Sequence, residues 1–275
     1  MVADPGPVVQ RLIFGSRVRQ LRTDAGVELE TANDQLGWYR GKLSKVETGL
    51  LATKPQEVED LIEMYKIRAS VANEIRKLGR DARRVSAPER VPDSARQYIA
   101  LERAATDIWM VYGEIPGLFQ TTEFARAQLR SAPTVTSAHV DEWAAAREER
   151  GEQLRKPGAP TVWVVLGEPA LDYLVGGPEV LRRQLERMAE LSSLPNVHLK
   201  LFPYSAGHTP GLSVPFTLLW IEPASVHIAY AETLTASEYI KSTGAYRVAF
   251  DNAYQRALSE DETQTVLERR IHELE

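Results

Sequence analysis

The chain has 275 residues, 43% of them hydrophobic and 26% charged, with 33 basic against 38 acidic side chains and a net charge of -5. That length accommodates two domains of ordinary size, and the composition excludes both an intrinsically disordered chain and a globally basic, histone-like binder. The absence of cysteine excludes a disulfide framework, a thiolate zinc site and a cysteine nucleophile.

In chain order, Met1 to Gln10 carries Asp4 and two prolines and lacks the basic start and apolar run of a signal peptide. Phe14 to Ala25 reads as a helix: Phe14, Val18 and Leu21 form an apolar stripe between Arg17, Arg19, Gln20 and Arg22, and Gly26 stops it. A short helical pattern follows from Glu28 to Leu36, with Leu29, Ala32 and Leu36 on one face and Gly37 at its end. Tyr39 to Thr48 forms a third segment through Leu43 and Val46, ended by Gly49. Thr53 is placed to cap a fourth helix with Pro55 in its first turn and Val58, Leu61, Ile62 and Tyr65 on its apolar face. A basic helix runs from about Ala69 to Arg83, and the prolines of Ser86–Asp93 mark a linker.

Beyond it the pattern changes to mixed elements. Helices are expected near Ser94–Thr106, Thr122–Ser131, Ser137–Leu154 and Pro178–Leu191. Strands are expected at Ile108–Tyr112, Thr161–Leu166 and Asn196–Phe202. In the last of these, Asn196, His198 and Lys200 alternate outward against Val197, Leu199 and Leu201. Phe216–Ile221 and Ser225–Tyr230 read as a hairpin around Glu222-Pro223-Ala224. Two helices close the chain, the last beginning at Ser259, which has capping-box spacing to Glu262. No apolar run reaches the roughly 18 residues of a membrane helix, so a cytoplasmic protein is expected.

The mean charge conceals an asymmetry. Residues 11–90 hold 16 basic and 12 acidic side chains, whereas 91–275 hold 17 and 25. Within the front section, residues 11–65 are nearly balanced, at 8 basic and 9 acidic, and the excess lies in 66–90, with 8 and 3. A basic front section on an acidic protein is compatible with an anionic partner. In 66–90, Arg76, Lys77, Arg80, Arg83 and Arg84 could meet phosphate, or the helix could be a solvated or dimer-forming one.

The three short helices between Phe14 and Thr48, the second and third joined by a tight turn at Gly37, have helix-turn-helix spacing. Glycine serves such a turn because it adopts positive φ at least cost. Leu36 and Val46 would hold the two helices together, leaving Arg40, Lys42, Ser44 and Lys45 available on the third. The run Phe14-Gly15-Ser16-Arg17-Val18-Arg19-Gln20-Leu21-Arg22, then Gly26, Leu36-Gly37 and Lys42-Leu43-Ser44-Lys45-Val46-Glu47-Thr48-Gly49 resembles the XRE/Cro-type helix-turn-helix regulators. Past Arg90, Pro116–Thr121, Gly176-Gly177-Pro178, Gln184-Leu185, Phe202–Gly207 and Tyr230–Thr233 resemble the companion domain of a large actinobacterial group of these regulators.

That resemblance implies a recognition helix with Tyr39 near its start. It places Arg40 and Gly41 at base edges, Lys42 and Ser44 near phosphate or bases, and Lys45 in the groove. Arg40 or Lys45 would read guanine, a contact worth roughly 1–3 kcal/mol of discrimination. Lys42 would add sequence-neutral, salt-dependent affinity. Arg22 and Glu47 match an ion pair that ties the first helix to the end of the third. The sequence departs from the family pattern at Glu28-Leu29, where Thr-Gln is usual. Glu30 and Asp34 add negative charge, and Trp38 and Tyr39 replace small polar turn residues. Some members of the group are paired with a small protein from an adjacent gene in antitoxin-like systems.

Enzymatic readings rank lower. His139, His198, His208, His227 and His272 form no compact metal-ligand motif. Ser205 and His208 are close in sequence, but no Gly-x-Ser-x-Gly elbow surrounds the serine. Gly176-Gly177-Pro178 lacks the Lys-Ser/Thr of a phosphate loop. Glu114, Glu168 and Glu232 read as turn or surface carboxylates. The loop Phe202–Gly211 is the best candidate for a ligand or partner segment.

The sequence therefore reads as a multidomain protein with no enzymatic activity, cofactor or metal. An all-α helix-turn-helix domain with the basic helix occupies 1–85 and a linker 86–93. A mixed α/β (α+β) domain for sensing, partner binding or dimerisation occupies 94–275. The expected function is sequence-specific transcription regulation as a homodimer on double-stranded DNA. The alternatives are an antitoxin-like module binding a small partner protein, or a small-molecule sensor.

Overall fold

The computed structural model describes residues 6–84, 93–233, 237–240 and 242–275. Most of the expected linker, Ser86–Asp93, lies outside these residues. The described residues group into two compact units, one within 1–89, 96–104 and 221–226, the other within 90–95, 105–220 and 227–275.

The first unit is helical: α1 (Gly6–Asp24), α2 (Leu29–Gln35), α3 (Lys42–Glu47), α4 (Pro55–Met64) and α5 (Ala69–Ala82), with most of α6 (Asp93–Ala104). Helix α1 starts earlier than its stripe predicts, because Val9 and Leu12 are also buried and Pro7 sits in the first turn, where its missing N–H costs nothing. Helix α3 starts three residues later than expected. Gly41 precedes it at φ 83°, a left-handed conformation that ends any helical reading of Tyr39–Gly41. Thr53 does not cap α4. Its hydroxyl is buried without a hydrogen-bond partner, and the N-cap position falls to Lys54, whose N–H donates to Glu57 at 2.8 Å.

Phe14, Val18, Ala32, Trp38, Leu43, Val46, Leu61 and Ile75 form one core shared by α1 to α5. Its tightest point is Gly15 on α1. A Cβ there would lie 2.3 Å from the Val46 carbonyl oxygen and 2.8 Å from Glu47 backbone atoms. Only a residue without a side chain lets α1 cross α3 at this distance.

Tyr65, at the end of α4, is buried in the same core, and its hydroxyl has no hydrogen-bond partner. Burial and the Glu47 carboxylate raise its pKa to about 12, against the opposing pull of Arg22.

The second unit is built on a six-stranded mixed sheet of order β3-β2-β1-β4-β5-β6. Its strands are β1 (Asp107–Tyr112), β2 (Thr161–Gly167), β3 (Val197–Phe202), β4 (Phe216–Ile221), β5 (Val226–Glu232) and β6 (Ser237–Ile240). β1, β2 and β3 run parallel, while β4 is antiparallel to β1 and β6 to β5. The helices are α7 (Thr122–Ser131), α8 (Val140–Glu152), α9 (Pro178–Ser192), the single turn α10 (Pro210–Ser213), α11 (Gly244–Arg256) and α12 (Glu260–Glu273). Gly176 and Gly177, both at positive φ, turn the chain into α9. Ser259 and Glu262 cap α12 reciprocally.

The outward reading of β3 needs correction. His198 stacks on Trp163 at 5.5 Å between ring centroids, and Lys200 lies 4.3 Å above the Tyr254 ring of α11. Helix α11 packs over this face, and α12 runs along the free edge of β3, where Thr263 accepts the Leu201 N–H. The alternation in β3 thus separates a buried apolar face from a partly covered one.

Two stability predictions follow from the helical core. Gly15→Ala should destabilise the protein by about 2–3 kcal/mol through forced separation of α1 and α3, read as a lower denaturation midpoint at an unchanged m-value. For Tyr65, the folded pKa lies above the unfolded value of 10.0. Its contribution is therefore complete below pH 10 and is lost as pH rises toward 12. Tyr65→Phe should change stability by less than about 1 kcal/mol at pH 7 and flatten the decline between pH 10 and 12 in urea titrations.

Candidate nucleic-acid interface

Helices α2 and α3 and the turn between them are held by Asn33, a residue the sequence reading passed over. It is fully buried on α2. Its Oδ1 accepts the Leu43 N–H at 3.0 Å, its Nδ2 donates to the Leu29 carbonyl at 3.2 Å, and its own carbonyl accepts the Trp38 N–H at 2.8 Å. Gly41, the N-cap residue, has no side chain to satisfy the first turn of α3, so Asn33 does so from the neighbouring helix. The available signal was spacing: Asn33 stands four residues after Leu29, on the apolar face.

Arg22 on α1 reaches the other end of α3. Its Nε and Nη2 donate to the two Glu47 oxygens at 2.6 and 3.1 Å, and its Nη1 donates to the Val27 carbonyl at 2.9 Å. The pair is largely buried. The Glu47 hydrogen bond raises the Arg22 pKa further, against desolvation. Helix α3 is thus fixed at its start by Asn33 and at its end by the close approach of Gly15 and by Arg22.

The expected DNA-facing residues divide into two sets. Tyr39 and Arg40 lie in the turn before α3; Tyr39 is 57% exposed and the Arg40 side chain 90% exposed, 3.7 Å from Glu30. Lys45 is exposed on α3, with its Nζ 5.6 Å from the Tyr39 ring centroid. Gly41 is the left-handed N-cap, and Ser44 is half-buried with its carbonyl accepting the Thr48 hydroxyl at 2.7 Å.

Lys42 is placed differently from the expectation that it remains available. Its Nζ bonds Glu57 on α4 at 2.5 Å and lies 4.4 Å from the Trp38 ring centroid, and both charged side chains are only 15% exposed. Burial pushes Glu57 up, but the Lys42 hydrogen bond, the Lys54 N–H and the two lysine charges outweigh it, leaving a net lowered pKa. Trp38, a departure from the family's small turn residues, is buried and forms one wall for this ion pair.

On α5, Arg76 is bound to Glu59 by two hydrogen bonds at 2.7 and 2.8 Å, and Arg83 donates to the Thr53 carbonyl at 3.1 Å. Lys77 and Arg80 are exposed. Part of the basic excess in 66–90 is therefore internal to the helical unit. In the second unit, the loop after β3 is fastened rather than open. Tyr204 donates its N–H to Glu168 at 2.8 Å and its hydroxyl to Asp172 at 3.2 Å, and Arg256 donates to the carbonyls of Ala206 and His208. His208 bonds Ser213. Among the described residues no group of three or more His, Asp or Glu side chains is placed to hold a metal ion, and no helix is long and apolar enough to cross a membrane.

This arrangement, two short helices joined by a glycine turn and braced by a third, defines a helix-turn-helix protein. A family model described as a helix-turn-helix domain matches residues 13–73, a domain type that suggests DNA binding and transcription regulation. A second model, described as Domain of unknown function (DUF5753), matches residues 95–269, more than half of the chain, and the chain belongs to that family. No curated protein and no solved structure matches it.

Asn33→Ala should remove the link between α2 and α3 and leave the Leu43 N–H buried without a partner. The expected loss is about 1–3 kcal/mol, measured by thermal or urea unfolding.

Proposed function

We propose that this protein is a sequence-specific transcription regulator of the XRE/Cro type that places α3 in the major groove of its operator. The observation that carries the reading is the exposed group Tyr39, Arg40 and Lys45, displayed on α3 and the turn that leads into it, a helix that the fold holds at both ends. Arg40 and Lys45 are the base-reading candidates, and Tyr39 stacks beside Lys45. Lys42 has a different part in this reading: it fixes α3 to α4 through Glu57 and contributes little to phosphate attraction, because its charge is already neutralised. Residues 1–85 are the DNA-binding part and 86–93 the linker. Residues 94–275 control the activity and form a homodimer, which would set two α3 helices roughly 34 Å apart on one side of the duplex.

The exposed acidic residues Glu28, Glu30 and Asp34 on and beside α2 limit non-specific attraction, since phosphate contacts supply most of it. This points to a binder that depends on a few base contacts and on dimer geometry.

The test is selection of bound sequences from a random duplex pool, followed by titration of the selected site. Arg40→Ala and Lys45→Ala should each weaken binding by roughly 5–150-fold and relax preference at a base pair, the scale of one lost base contact. Lys42→Ala should lower thermal stability and leave the salt slope of binding almost unchanged. An unenriched pool at low salt, or wild-type affinity and preference in both Arg40→Ala and Lys45→Ala, would overturn the groove assignment.

A further inference from the structure

Three of the chain's five tryptophans stand on one face of the sheet in the second unit. Strand register dictates the arrangement. Trp109 on β1 is opposite Trp163 on β2, and Asp107, two residues before Trp109 and so on the same face, is opposite Trp220 on β4. The Trp109 and Trp163 rings lie nearly parallel, 5.3 Å apart. His227 on β5 completes the row, 4.3 Å from Trp220 and 5.9 Å from Trp109 between ring centroids. Arg247 reaches over from α11, its guanidinium carbon 4.6 Å from the Trp109 centroid.

Part of this row lines an open cleft of about 430 Å³, walled by Trp109, Trp220 and His227 with Asp107 and Arg247 on its lining. The volume is in the range of small-molecule sites, which are mostly apolar with a few polar groups fixing orientation. The walls are flat and aromatic, so they suit a planar ring. Burial and the Arg247 charge push the His227 pKa down, with Asp107 opposing, and the imidazole thus presents a neutral ring face at neutral pH. Besides its contact with the Trp109 ring, Arg247 pairs weakly with Asp251 among the described residues: its Nε lies 3.4 Å from Asp251, with both side chains about half exposed. Its fork of donors matches an acid group. Asp107 accepts the Thr106 hydroxyl at 3.1 Å through one oxygen, and a carboxylate has acceptor capacity beyond one such bond.

We propose that this cleft binds a small planar aromatic carboxylate bearing a ring N–H. The ring lies against the aromatic wall of the cleft, the acid group pairs with Arg247, and the N–H donates to Asp107. A cationic substituent in place of the acid would meet the guanidinium and be rejected. The assignment is independent of the DNA reading and concerns side chains of the second unit alone.

Indole-3-acetate carries the required features and serves as the probe, with indole and tryptamine as comparisons. Isothermal titration calorimetry on the full chain without DNA should show saturable binding of indole-3-acetate with Kd of roughly 1 mM or tighter. Indole should bind at least about tenfold more weakly, and tryptamine no better than indole. Arg247→Gln alters a surface side chain and should bring indole-3-acetate down to the affinity of indole. Trp220→Ala, checked for folding by circular dichroism, should weaken both. No saturable heat with indole-3-acetate up to several times that Kd, equal affinity for indole and indole-3-acetate in the wild type, or undiminished indole-3-acetate binding in Arg247→Gln would overturn the proposal. Any of these results would leave the DNA titration unaffected.

Discussion

The helical unit depends on the crossing of α1 and α3 at Gly15. Where α1 passes, the Val46 carbonyl occupies the space a Cβ would need. The crossing brings Arg22 within reach of Glu47 and buries Phe14, Val18, Leu43 and Val46 together. Helix α3 has only six residues, about 9 Å of length, too short to persist alone. Its conformation is supplied by neighbours, from Asn33 at one end to Arg22 at the other. The exposed side chains of α3 and of the turn before it are therefore only as well placed as this crossing is tight.

Charge on this unit is divided by the same packing. Lys42, Arg76 and Arg83 are held by Glu57, Glu59 and the Thr53 carbonyl, which removes them from the field an approaching polyanion would meet. Arg40 and Lys45 remain exposed. A net charge of -5 over the whole chain thus says little about nucleic-acid affinity, and even the local excess in 66–90 overstates it. Breaking the buried Arg22–Glu47 pair from one side would leave a charge in low dielectric, a loss of roughly 3–5 kcal/mol.

The second unit separates two environments with one sheet. One face, carrying Val162, Val164, Leu199 and Leu201, is mostly apolar and buried, with the Tyr112 and Thr217 hydroxyls bonded to each other at 3.0 Å. The other carries Trp163, Trp109, Trp220, His198 and His227, aromatic groups with polar edges that α11 covers in part. The indoles with Asp107 and Arg247 make a cleft whose chemistry differs from the core beneath it.

The sequence by itself determined the helix-turn-helix spacing, the glycine turns, most helices and strands and the change from an all-α to a mixed part. These follow from local periodicity and from φ values that glycine alone adopts cheaply. Strand β6 escaped notice because four residues give too short a pattern. The start of α3 was misjudged because Tyr39 and Arg40 fit a helical period until Gly41 breaks it. The Arg22–Glu47 pair was legible only through resemblance, and the place of Lys42 was not legible at all. Which cation is exposed depends on partners such as Glu57, fifteen residues away in sequence. The aromatic cleft gathers residues from β1, β4, β5 and α11, and only strand register and helix packing decided that they meet.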